Sequence, residues 1–430
     1  MTESKEGNIH MKILVVGGGG REHAMVKKLL ESPKVTEIYV APGNGGISKD
    51  ATCVDIKATD VAGMTEFANK NNIDFVVVAP DDPLVLGMVD AMEEYDIPCF
   101  GPNRSAARIE GSKVFSKDLM KRYNIPTAGY ENFDSIEAAR EYVRGASYPL
   151  WIKADGLALG KGAIQAHDVQ SANDILNSLM VDKIFGESGT CVVIEEHMVG
   201  PEVTVLAFCD GETVWPMLSS MDFKRALDGD EGANTGGMGA IAPNPYYTKE
   251  IKKRCEDEIF LPTVRAMQAE GCPFKGCLYF GLILTAAGPK VIEYNCRFGD
   301  PETQVLLSML ETDLVDIMLA ISSGTLADTT IKWKQGAAAC VVMASGGYPS
   351  SYETSKRIFG LNEQGGIDGA VVYHAGTKFV DGNFETAGGR VLGVTATADD
   401  LDKVLDKAYN AVKKISFDNV HYRKDIGRVQ

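Results

Sequence analysis

The 430-residue sequence contains no apolar run long enough to cross a membrane and no excess of positive charge. Its formal net charge is −16, with 43 Lys and Arg against 59 Asp and Glu, so neither nucleic acid nor an anionic membrane is expected as a partner. The first ten residues, MTESKEGNIH, lack the apolar segment of a secretory signal. We therefore expect a cytoplasmic protein in which residues 1–10 form a disordered extension.

Nine cysteines are scattered along the chain, and no two of them form a Cys-x-x-Cys motif. Cys272 and Cys277 are the closest pair, and no pair of histidines stands near them, which argues against a zinc site. We expect the cysteines to be reduced, as is usual in the cytosol. The chain also lacks a Gly-x-Ser-x-Gly motif and a Cys–His pair, so no nucleophilic side chain is indicated.

The composition is that of a soluble globular protein, with 45% hydrophobic and 24% charged residues, and the chain is too long for one ordinary core. Short apolar strands alternate with helices as far as about residue 108, which predicts a doubly wound parallel α/β domain. Beyond about residue 330, apolar strands such as Ala337–Ala344 and a helix over 399–414 predict a small α+β domain.

One stretch near residue 295 combines several polar groups on a predicted strand. Residues 290–297 alternate between polar and apolar, so Glu293, Asn295 and Arg297 share one face, with Ile292 and Tyr294 on the other. A carboxylate and an amide oxygen two residues apart suit Mg²⁺. The guanidinium of Arg297 suits a carboxylate or a phosphate. A turn at 298–301 then leads into a helix predicted over 305–320.

A glycine loop, Gly17–Gly20, follows the first predicted strand, 12–16. Backbone N–H groups and the start of the next helix favour an anion there. A dinucleotide site fits poorly, because the third glycine of G-x-G-x-x-G falls on Glu22 and no acidic residue follows the second strand. We interpret the loop as a site for a single phosphate group. The loop at 41–46 also follows a strand, where parallel sheets carry ligands.

Glycine and lysine also cluster in the middle of the chain. The stretch Gly156–Gly162 is not a Walker A loop, because its glycines are too close together and Gly162 stands where that loop has Ser or Thr. A glycine-rich hairpin can still bind phosphates through backbone N–H groups, and Lys153, at the end of an apolar strand, would add a charge. The run Asn234–Gly239 is too rich in glycine for a helix or strand, so we interpret it as a loop that approaches a ligand.

The run Asn295–Gln304, NCRFGDPETQ, resembles the metal-binding strand of the ATP-grasp superfamily and, within it, the phosphoribosylamine–glycine ligase family. The resemblance extends from Met11 to Gly427. It implies an N-terminal α/β domain over 11–108, an ATP-grasp domain over 109–328 with a small lid at about 125–196, and a C-terminal α+β domain over 329–430. The end of the chain, Tyr422–Gly427, also matches the family, and no chemistry is assigned to it.

The resemblance implies a reaction as well. ATP, with Mg²⁺ or Mn²⁺, would convert glycine to glycyl phosphate, which the amine of 5-phosphoribosylamine would then attack, as a step of purine biosynthesis. Small molecules would be the partners, and the sequence allows weak self-association into a homo-oligomer.

The implied site residues fall into four groups. The ATP-binding residues are Lys113, Lys153, Gly160, Lys161, Gly162, Glu195, Glu196, Met198 and Glu202. The substrate-binding residues are Gly18, Gly19, Gly20, Arg21, Glu22, Asn44, Gly45, Pro80, Lys224, Arg225, Asn234, Thr235, Gly236, Gly237, Arg297, Asp300 and Glu302. The metal ligands are Glu293 and Asn295, and the catalytic residues are Lys153, Arg297 and Asp300.

The chain departs from the family at four positions. Ala79 and Asp81 stand where the family usually has glycine and glutamate, and Met221 and Phe223 stand where it has glutamine and histidine. Two other functions stay open on the residues alone. One is an ATP-grasp enzyme with another acyl donor or amine, such as a dipeptide ligase or an ATP-dependent carboxylase. The other is a dinucleotide-binding oxidoreductase or a non-catalytic nucleotide sensor.

Overall fold

The computed structural model describes residues 10–158 and 162–428. Residues 1–9 of the predicted extension and the predicted ATP-binding residues Gly160 and Lys161 lie outside the described residues. Within the described residues, no helix has the length and apolar character needed to span a membrane.

The N-terminal part is built on a five-stranded parallel sheet with strand order 3-2-1-4-5. Its strands are β1 (Met11–Gly17), β2 (Val35–Pro42), β3 (Thr52–Cys53), β4 (Phe75–Val78) and β5 (Cys99–Phe100). Its helices are α1 (Gly20–Leu29), α2 (Val61–Lys70), α3 (Asp81–Leu86), α4 (Met88–Glu93) and α5 (Arg104–Gly111). Strand β4 is buried along its whole length, as expected when both faces of a parallel sheet are covered. The predicted doubly wound domain is therefore confirmed.

A four-stranded antiparallel sheet with order 6-9-7-8 lies in the segment predicted to be the lid. Helix α6 (Lys113–Arg122) leads into it, and its strands are β6 (Tyr130–Phe133), β7 (Leu150–Ala154), β8 (Ala163–Ala166) and β9 (Val192–Glu196). Helices α7 (Ile136–Gly145) and α8 (Val169–Leu176) cover one face. Side chains such as Ile152, Leu176 and Ile194 form a core that is separate from the other apolar clusters. A sheet with its own core can move as a unit.

An eight-stranded antiparallel sheet, with order 16-15-10-11-14-17-21-18, forms the body. The strands of this region are β10 (Glu202–Asp210), β11 (Val214–Asp222), β12 (Arg225–Leu227), β13 (Glu231–Asn234), β14 (Gly239–Ala242), β15 (Lys275–Thr285), β16 (Gly288–Asn295), β17 (Ala337–Ala344), β18 (Val371–His374), β19 (Thr377–Val380), β20 (Asn383–Thr386) and β21 (Arg390–Ala398). Its helices are α9 (Lys249–Cys255), α10 (Leu261–Ala269), α11 (Glu302–Met309), α12 (Leu314–Ser323) and α13 (Leu401–Val412). Because β14 pairs with β17, the sheet continues across residue 329 without interruption.

The single helix predicted over 305–320 is wrong, because the structure has two helices, α11 and α12. Leu310 takes an extended conformation and pairs with Trp333. Asp313 then caps α12 by accepting a hydrogen bond from the Val315 N–H at 2.9 Å. An aspartate in this position favours a helix start over a continuing helix.

Candidate active site

The predicted metal ligands lie on β16, at one edge of the eight-stranded sheet. Glu293 pairs with Gly281 and Asn295 with Tyr279, so the two side chains share one face. The register then shifts and leaves Ile292 as a bulge. The prediction that Ile292 shares a face with Tyr294 is wrong, because the bulge turns Val291 into the core in its place.

Positive charge surrounds the Glu293 carboxylate. Lys224 Nζ lies 3.9 Å from Glu293 Oε1 and 3.3 Å from Glu202 Oε2. Burial alone would raise the pKa of Glu293, but the net pKa is lowered because three lysines are near: Lys224, Lys153 and Lys113. Lys113, in the first turn of α6, donates to Gly156 O at 3.0 Å. Burial lowers its own pKa, although Glu293 opposes that effect.

The oxygen atoms of Glu293 and Asn295 suit a cation that also binds water or substrate oxygens. Among residues 10–158 and 162–428, no three His, Cys, Asp or Glu side chains converge to hold a metal. Strand β15, which lies beside β16, carries no carboxylate. Glu293 and Asn295 could therefore hold a divalent cation whose shell is completed by water and phosphate oxygens, as is usual for Mg²⁺.

A buried charge cluster occupies the end of β9. The side chain of Glu195 is 2% exposed, and its Oε2 accepts from Lys153 Nζ at 2.9 Å and from Lys117 Nζ at 3.1 Å. Its Oε1 is buried and has no partner in the part of the chain that the structure describes. Burial lowers the pKa of Lys117 to about 8, although Glu195 acts in the other direction. Lys153 also donates to Ile292 O at 3.4 Å, which joins the lid to β16.

The other predicted nucleotide residues flank this cluster. Glu196 accepts from the Gly129 N–H at 2.9 Å and from Lys290 Nζ at 3.4 Å, so its side chain braces the lid. Met198 is half-buried two residues further on. The Gly162 carbonyl accepts from the Ala154 N–H at 2.9 Å, which holds the two ends of the loop after β7 together.

Arg297 joins the metal strand to the glycine loop. Its Nη2 donates to Glu110 Oε1 at 3.0 Å, and its Nε is buried without a partner among the described residues. Its Nη1 donates to the Phe298 carbonyl at 3.3 Å, and the same carbonyl accepts from Arg21 Nη1 at 3.1 Å. The two guanidinium groups therefore meet at one oxygen. Burial would raise the pKa of Asp81, but the charges of Arg297 and Arg21 lower it.

A cavity of about 620 Å³ opens over the glycine loop. Six predicted residues line it: Gly18, Gly19, Arg21, Glu22, Pro80 and Asp300. Lys57 and Arg390, which the sequence did not single out, line it too. Gly20 lies beneath the loop, where an added Cβ would come within 2.7 Å of Gln304 Nε2.

Three of the predicted substrate residues brace the loops of this cavity. Glu22 accepts from the Gly19 N–H at 2.6 Å and from Arg21 Nε at 2.7 Å. The Asn44 amide donates to Gly18 O at 3.0 Å and to His374 O at 2.8 Å, and its oxygen accepts from two backbone N–H groups. Gly45 contacts the backbone of β19, where a Cβ would lie 2.5 Å from a carbonyl carbon. Direct contact of these three residues with a substrate stays a prediction.

Asp300 is held between α11 and the C-terminal part of the chain. Its Oδ1 accepts from Gln304 Nε2 at 2.7 Å, and its Oδ2 accepts from Arg390 Nη2 at 3.2 Å. Arg390 Nη1 also donates to the carbonyls of Asp300 (2.7 Å) and Gly236 (2.8 Å). Burial would raise the pKa of Asp300, but Arg390 and Arg21 lower it.

Two carboxyl groups with raised pKa values lie on the other side of this turn. Burial, together with nearby Glu302, raises the pKa of Asp222 well above its usual range. Burial also raises the pKa of Glu302. The Asp222 Oδ1 atom is buried without a partner in the described chain, and a Cβ on Gly237 would lie 2.7 Å from it. Gly237 has a φ of +115°, so only glycine fits this close approach.

The remaining predicted residues lie on hairpin β12–β13 and just after it. Arg225 pairs with Asn234, and both line a second cleft of about 480 Å³ that also includes Trp151 of the lid. Thr235 Oγ1 donates to Lys224 O at 2.8 Å, which closes the hairpin. The N–H of Gly236 donates to the Tyr348 hydroxyl at 3.1 Å.

Sequence reasoning missed five residues of this site: Lys57, Glu110, Lys117, Asp222 and Arg390. Lys117 follows Lys113 by one helical turn, and this spacing was a usable signal. Glu110 and Asp222 stand three and two residues before the predicted Lys113 and Lys224. Arg390 gives no local signal, because it begins a strand 90 residues from Asp300, which it contacts.

Comparisons with known proteins agree along the chain. Residues 11–110 match the family described as "Phosphoribosylglycinamide synthetase, N domain", residues 111–303 match its "ATP-grasp (A) domain", and residues 338–429 match its "C domain". The phosphoribosylamine--glycine ligase of Caldanaerobacter subterraneus subsp. tengcongensis is 47% identical over 416 residues, covering 97% of this chain and 99% of that protein. That of Clostridium acetobutylicum is 46% identical over 418 residues, covering 97% and 100%.

Solved structures agree with these matches. The crystal structure of phosphoribosylamine--glycine ligase from Thermotoga maritima has a TM-score of 0.85 at 31% identity, covering 96% of this chain and 100% of that one. Biotin carboxylase from Campylobacter jejuni has a TM-score of 0.75 at 14% identity, covering 96% and 93%, and shares the fold alone. With three matched segments and relatives at 46–47% identity over 97% of its length, the chain belongs to the phosphoribosylglycinamide synthetase family.

Proposed function

We propose that the chain is an ATP-dependent ligase that joins glycine to 5-phosphoribosylamine, giving glycinamide ribonucleotide, ADP and phosphate in purine biosynthesis. The observation that carries this proposal is the meeting of Arg21 and Arg297 at the Phe298 carbonyl. That contact brings the cavity over the glycine loop, which suits a sugar phosphate, next to strand β16, which suits ATP and its cation. The amine substrate and ATP would therefore bind at one shared site. The family names of the matched relatives support the same substrates.

The proposed nucleotide site lies between the lid and β16. Lys113 and Lys153 are near enough to Glu293 to lower its pKa, so all three groups would border the same phosphates. The unpartnered Oε1 of Glu195 fits a hydrogen-bond donor such as the adenine amino group. We retain as the proposed ATP-binding set Lys113, Lys153, Gly160, Lys161, Gly162, Glu195, Glu196, Met198 and Glu202.

Glu293 and Asn295 are the proposed holders of the divalent cation, Mg²⁺ or Mn²⁺. Bound there, the cation would neutralise negative charge on the ATP phosphates. The lowered pKa of Glu293 keeps its carboxylate ionised at neutral pH, and its 38% side-chain exposure leaves it accessible. The amide of Asn295 adds a neutral oxygen on the same face.

The chemistry proposed for this site has two steps. A glycine carboxylate oxygen attacks the γ-phosphorus of ATP, the bond to the bridging oxygen breaks, and ADP leaves. The amine nitrogen then attacks the carbonyl carbon of glycyl phosphate, and phosphate leaves as the nitrogen loses a proton. Such transfers depend on positioning and charge, which Lys153 and Arg297 would supply, with Asp300 holding the amine substrate.

The proposed place of the amine substrate is the 620 Å³ cavity. Its phosphate would lie against the N-terminal end of α1, where backbone N–H groups and Arg21 favour an anion. The substrate-binding set is retained in full as a proposal: Gly18, Gly19, Gly20, Arg21, Glu22, Asn44, Gly45, Pro80, Lys224, Arg225, Asn234, Thr235, Gly236, Gly237, Arg297, Asp300 and Glu302.

Domain division, compartment and assembly are part of the same proposal. We retain the divisions 11–108, 109–328 with a lid at about 125–196, and 329–430. The separate core of the lid supports the lid boundary. All nine cysteines are free thiols, which fits a reducing cytoplasm. The partners proposed are small molecules, with weak self-association at most.

The decisive experiment is ADP release with ATP and Mg²⁺, adding glycine and freshly made phosphoribosylamine singly and together. We expect release only when both are present. Release with glycine and a different amine would keep the ATP-grasp chemistry but change the substrate. No release in any combination, from folded protein that binds ATP, would refute the ligase.

A further inference from the structure

The hairpin β12–β13 consists of two short strands that pair only with each other. Its tip, residues 227–233, is exposed, and Leu227 is 48% exposed. A two-stranded hairpin in water is only marginally stable by itself. Yet Lys224, Arg225 and Asn234, at the base of this hairpin, are proposed substrate residues whose positions must be fixed.

The end of the chain, His421–Gly427, supplies contacts along one side of this hairpin. His421 Nε2 donates to Ala226 O at 2.6 Å. The Lys424 N–H donates to Asp228 Oδ1 at 2.7 Å, and the Gly229 N–H donates to an Asp425 oxygen at 2.9 Å. Each hydrogen bond ties a different position of the hairpin to the same short segment.

Arg423 lies at the centre of these contacts and is 2% exposed. Its Nε and Nη2 each donate to Asp425 at 2.8 Å, so the pair is bidentate. Its Nη1 donates to Arg225 O at 3.2 Å and to Asp230 Oδ1 at 3.3 Å, and its guanidinium lies 5.3 Å from the Phe223 ring centroid. One buried guanidinium thus contacts the first residue of the hairpin, its tip, and the ring that lies two residues before the hairpin.

The segment is itself anchored to the body of the protein. Residues Ala344 and His421 exchange two backbone hydrogen bonds, of 2.7 and 2.9 Å. The Tyr409 hydroxyl donates to Arg423 O and accepts from the Ile426 N–H, both at 2.9 Å. Ile426 is fully buried in the C-terminal core. The hairpin is therefore held against a rigid support.

We propose that His421–Gly427 is a clasp that positions hairpin β12–β13, with Arg423 and Asp425 as its positioning residues. Its consequence for catalysis rests on the proposed function. The hairpin base reaches the site directly, because Lys224 Nζ lies 3.3 Å from Glu202 and 3.9 Å from Glu293. A displaced hairpin would misplace these charges, and small misplacements of this kind cost up to about 100-fold in rate.

Hydrogen exchange measures the clasp without reference to activity. Two variants weaken it from opposite sides: Asp425→Asn removes an oxygen that Arg423 uses, and Asp228→Ala removes the acceptor of the Lys424 N–H. Lys424→Ala is the matched control, since its exposed side chain is lost while its backbone hydrogen bond stays. We expect amides of 225–234 to exchange at least about tenfold faster in both variants, and at the wild-type rate in the control.

Steady-state kinetics measure the consequence. We expect kcat/KM for glycine and for phosphoribosylamine to fall about tenfold or more in the two variants, and to stay at the wild-type value in Lys424→Ala. Unchanged exchange in both variants would overturn the clasp, and faster exchange with unchanged kinetics would overturn its positioning role. If Asp425→Asn does not fold, the exchange and kinetics of Asp228→Ala, a substitution on the exposed tip, decide whether the clasp exists. A wild-type protein without glycine- and amine-dependent ADP release would refute the proposed function, while hydrogen exchange would still decide the clasp.

Discussion

Lys117→Met tests the charge balance beside the proposed nucleotide site. Lys117 and Lys153 share one oxygen of Glu195, so the buried cluster holds two ammonium groups and one carboxylate. Burial lowers the pKa of Lys117 from 10.5 to about 8. That difference corresponds to roughly 3 kcal/mol against the charged form in the folded protein. The hydrogen bond to Thr127, of 2.8 Å, returns about 1 kcal/mol.

We therefore expect Lys117→Met to increase the free energy of unfolding by about 1–2 kcal/mol at pH 7. The expected pH dependence has a definite sign. Between pH 8 and 10.5 the unfolded chain holds the Lys117 proton and the folded chain does not, so the wild type gains stability as the pH rises. The variant lacks this gain, and its advantage should disappear by about pH 10.

Urea unfolding of both proteins at pH 7 and at pH 9.5 measures the difference. Lys121→Met, on the exposed face of the same helix, controls for the loss of one charge and should show no such change with pH. A Lys117→Met variant that is less stable by the same margin at both pH values would refute the argument, because it would mean that Lys117 is charged and stabilising.

Three further outcomes are expected. Glu293→Gln should lower turnover about 100-fold or more with the fold intact, because a cation ligand is lost; unchanged turnover at low Mg²⁺ would remove Glu293 from the metal site. Arg297→Lys should raise the KM for glycine about tenfold or more, because lysine lacks the planar fork that binds a carboxylate, while its positive charge still pairs with Glu110. An unchanged KM and kcat would show that Arg297 does not bind the glycine carboxylate. Burial lowers the pKa of His374 to about 3, so the stability that depends on its neutral form should be complete above about pH 6.5 and should be lost as the pH falls toward 3. In acid unfolding, the free energy of unfolding of His374→Gln should therefore fall less between about pH 6.5 and 3 than that of the wild type. An identical fall in both proteins would count against this role of His374.

The fold was largely predictable because its strands are short and apolar and alternate with helices in the N-terminal part. Strand Ala337–Ala344 was predicted to the residue. The bulge at Ile292 was not predicted. Whether Val291 or Ile292 packs into the core depends on how β16 pairs with β15. The break between α11 and α12 likewise depends on the contact of Leu310 with Trp333, which lies outside the local sequence.

The candidate site divides in the same way. Motifs such as Glu293–Arg297 and Gly18–Arg21 present their chemistry within a few residues, so residue type and spacing reveal them. The partners that fix those groups come from distant segments: Arg297 is held by Glu110 across 187 positions of sequence. Side-chain bonds over such separations leave no periodic or compositional trace. Glu22 and Asn44, predicted as ligand contacts, have side chains that brace loops in the structure.

The 620 Å³ cavity over the glycine loop is completed by side chains from the C-terminal part of the chain. Asn44 links Gly18 O to His374 O, and the His374 N–H donates to His23 Nδ1 at 2.8 Å. Arg390 adds the charge that holds Asp300 over the cavity. Because these contacts come from β18 and β21, a fragment that ends before residue 371 would keep the Glu22 and Asn44 bonds to the glycine loop but lack the contacts of His374 and Arg390. The proposed amine site is therefore a property of the whole chain, although its recognisable motif lies in the first 21 residues.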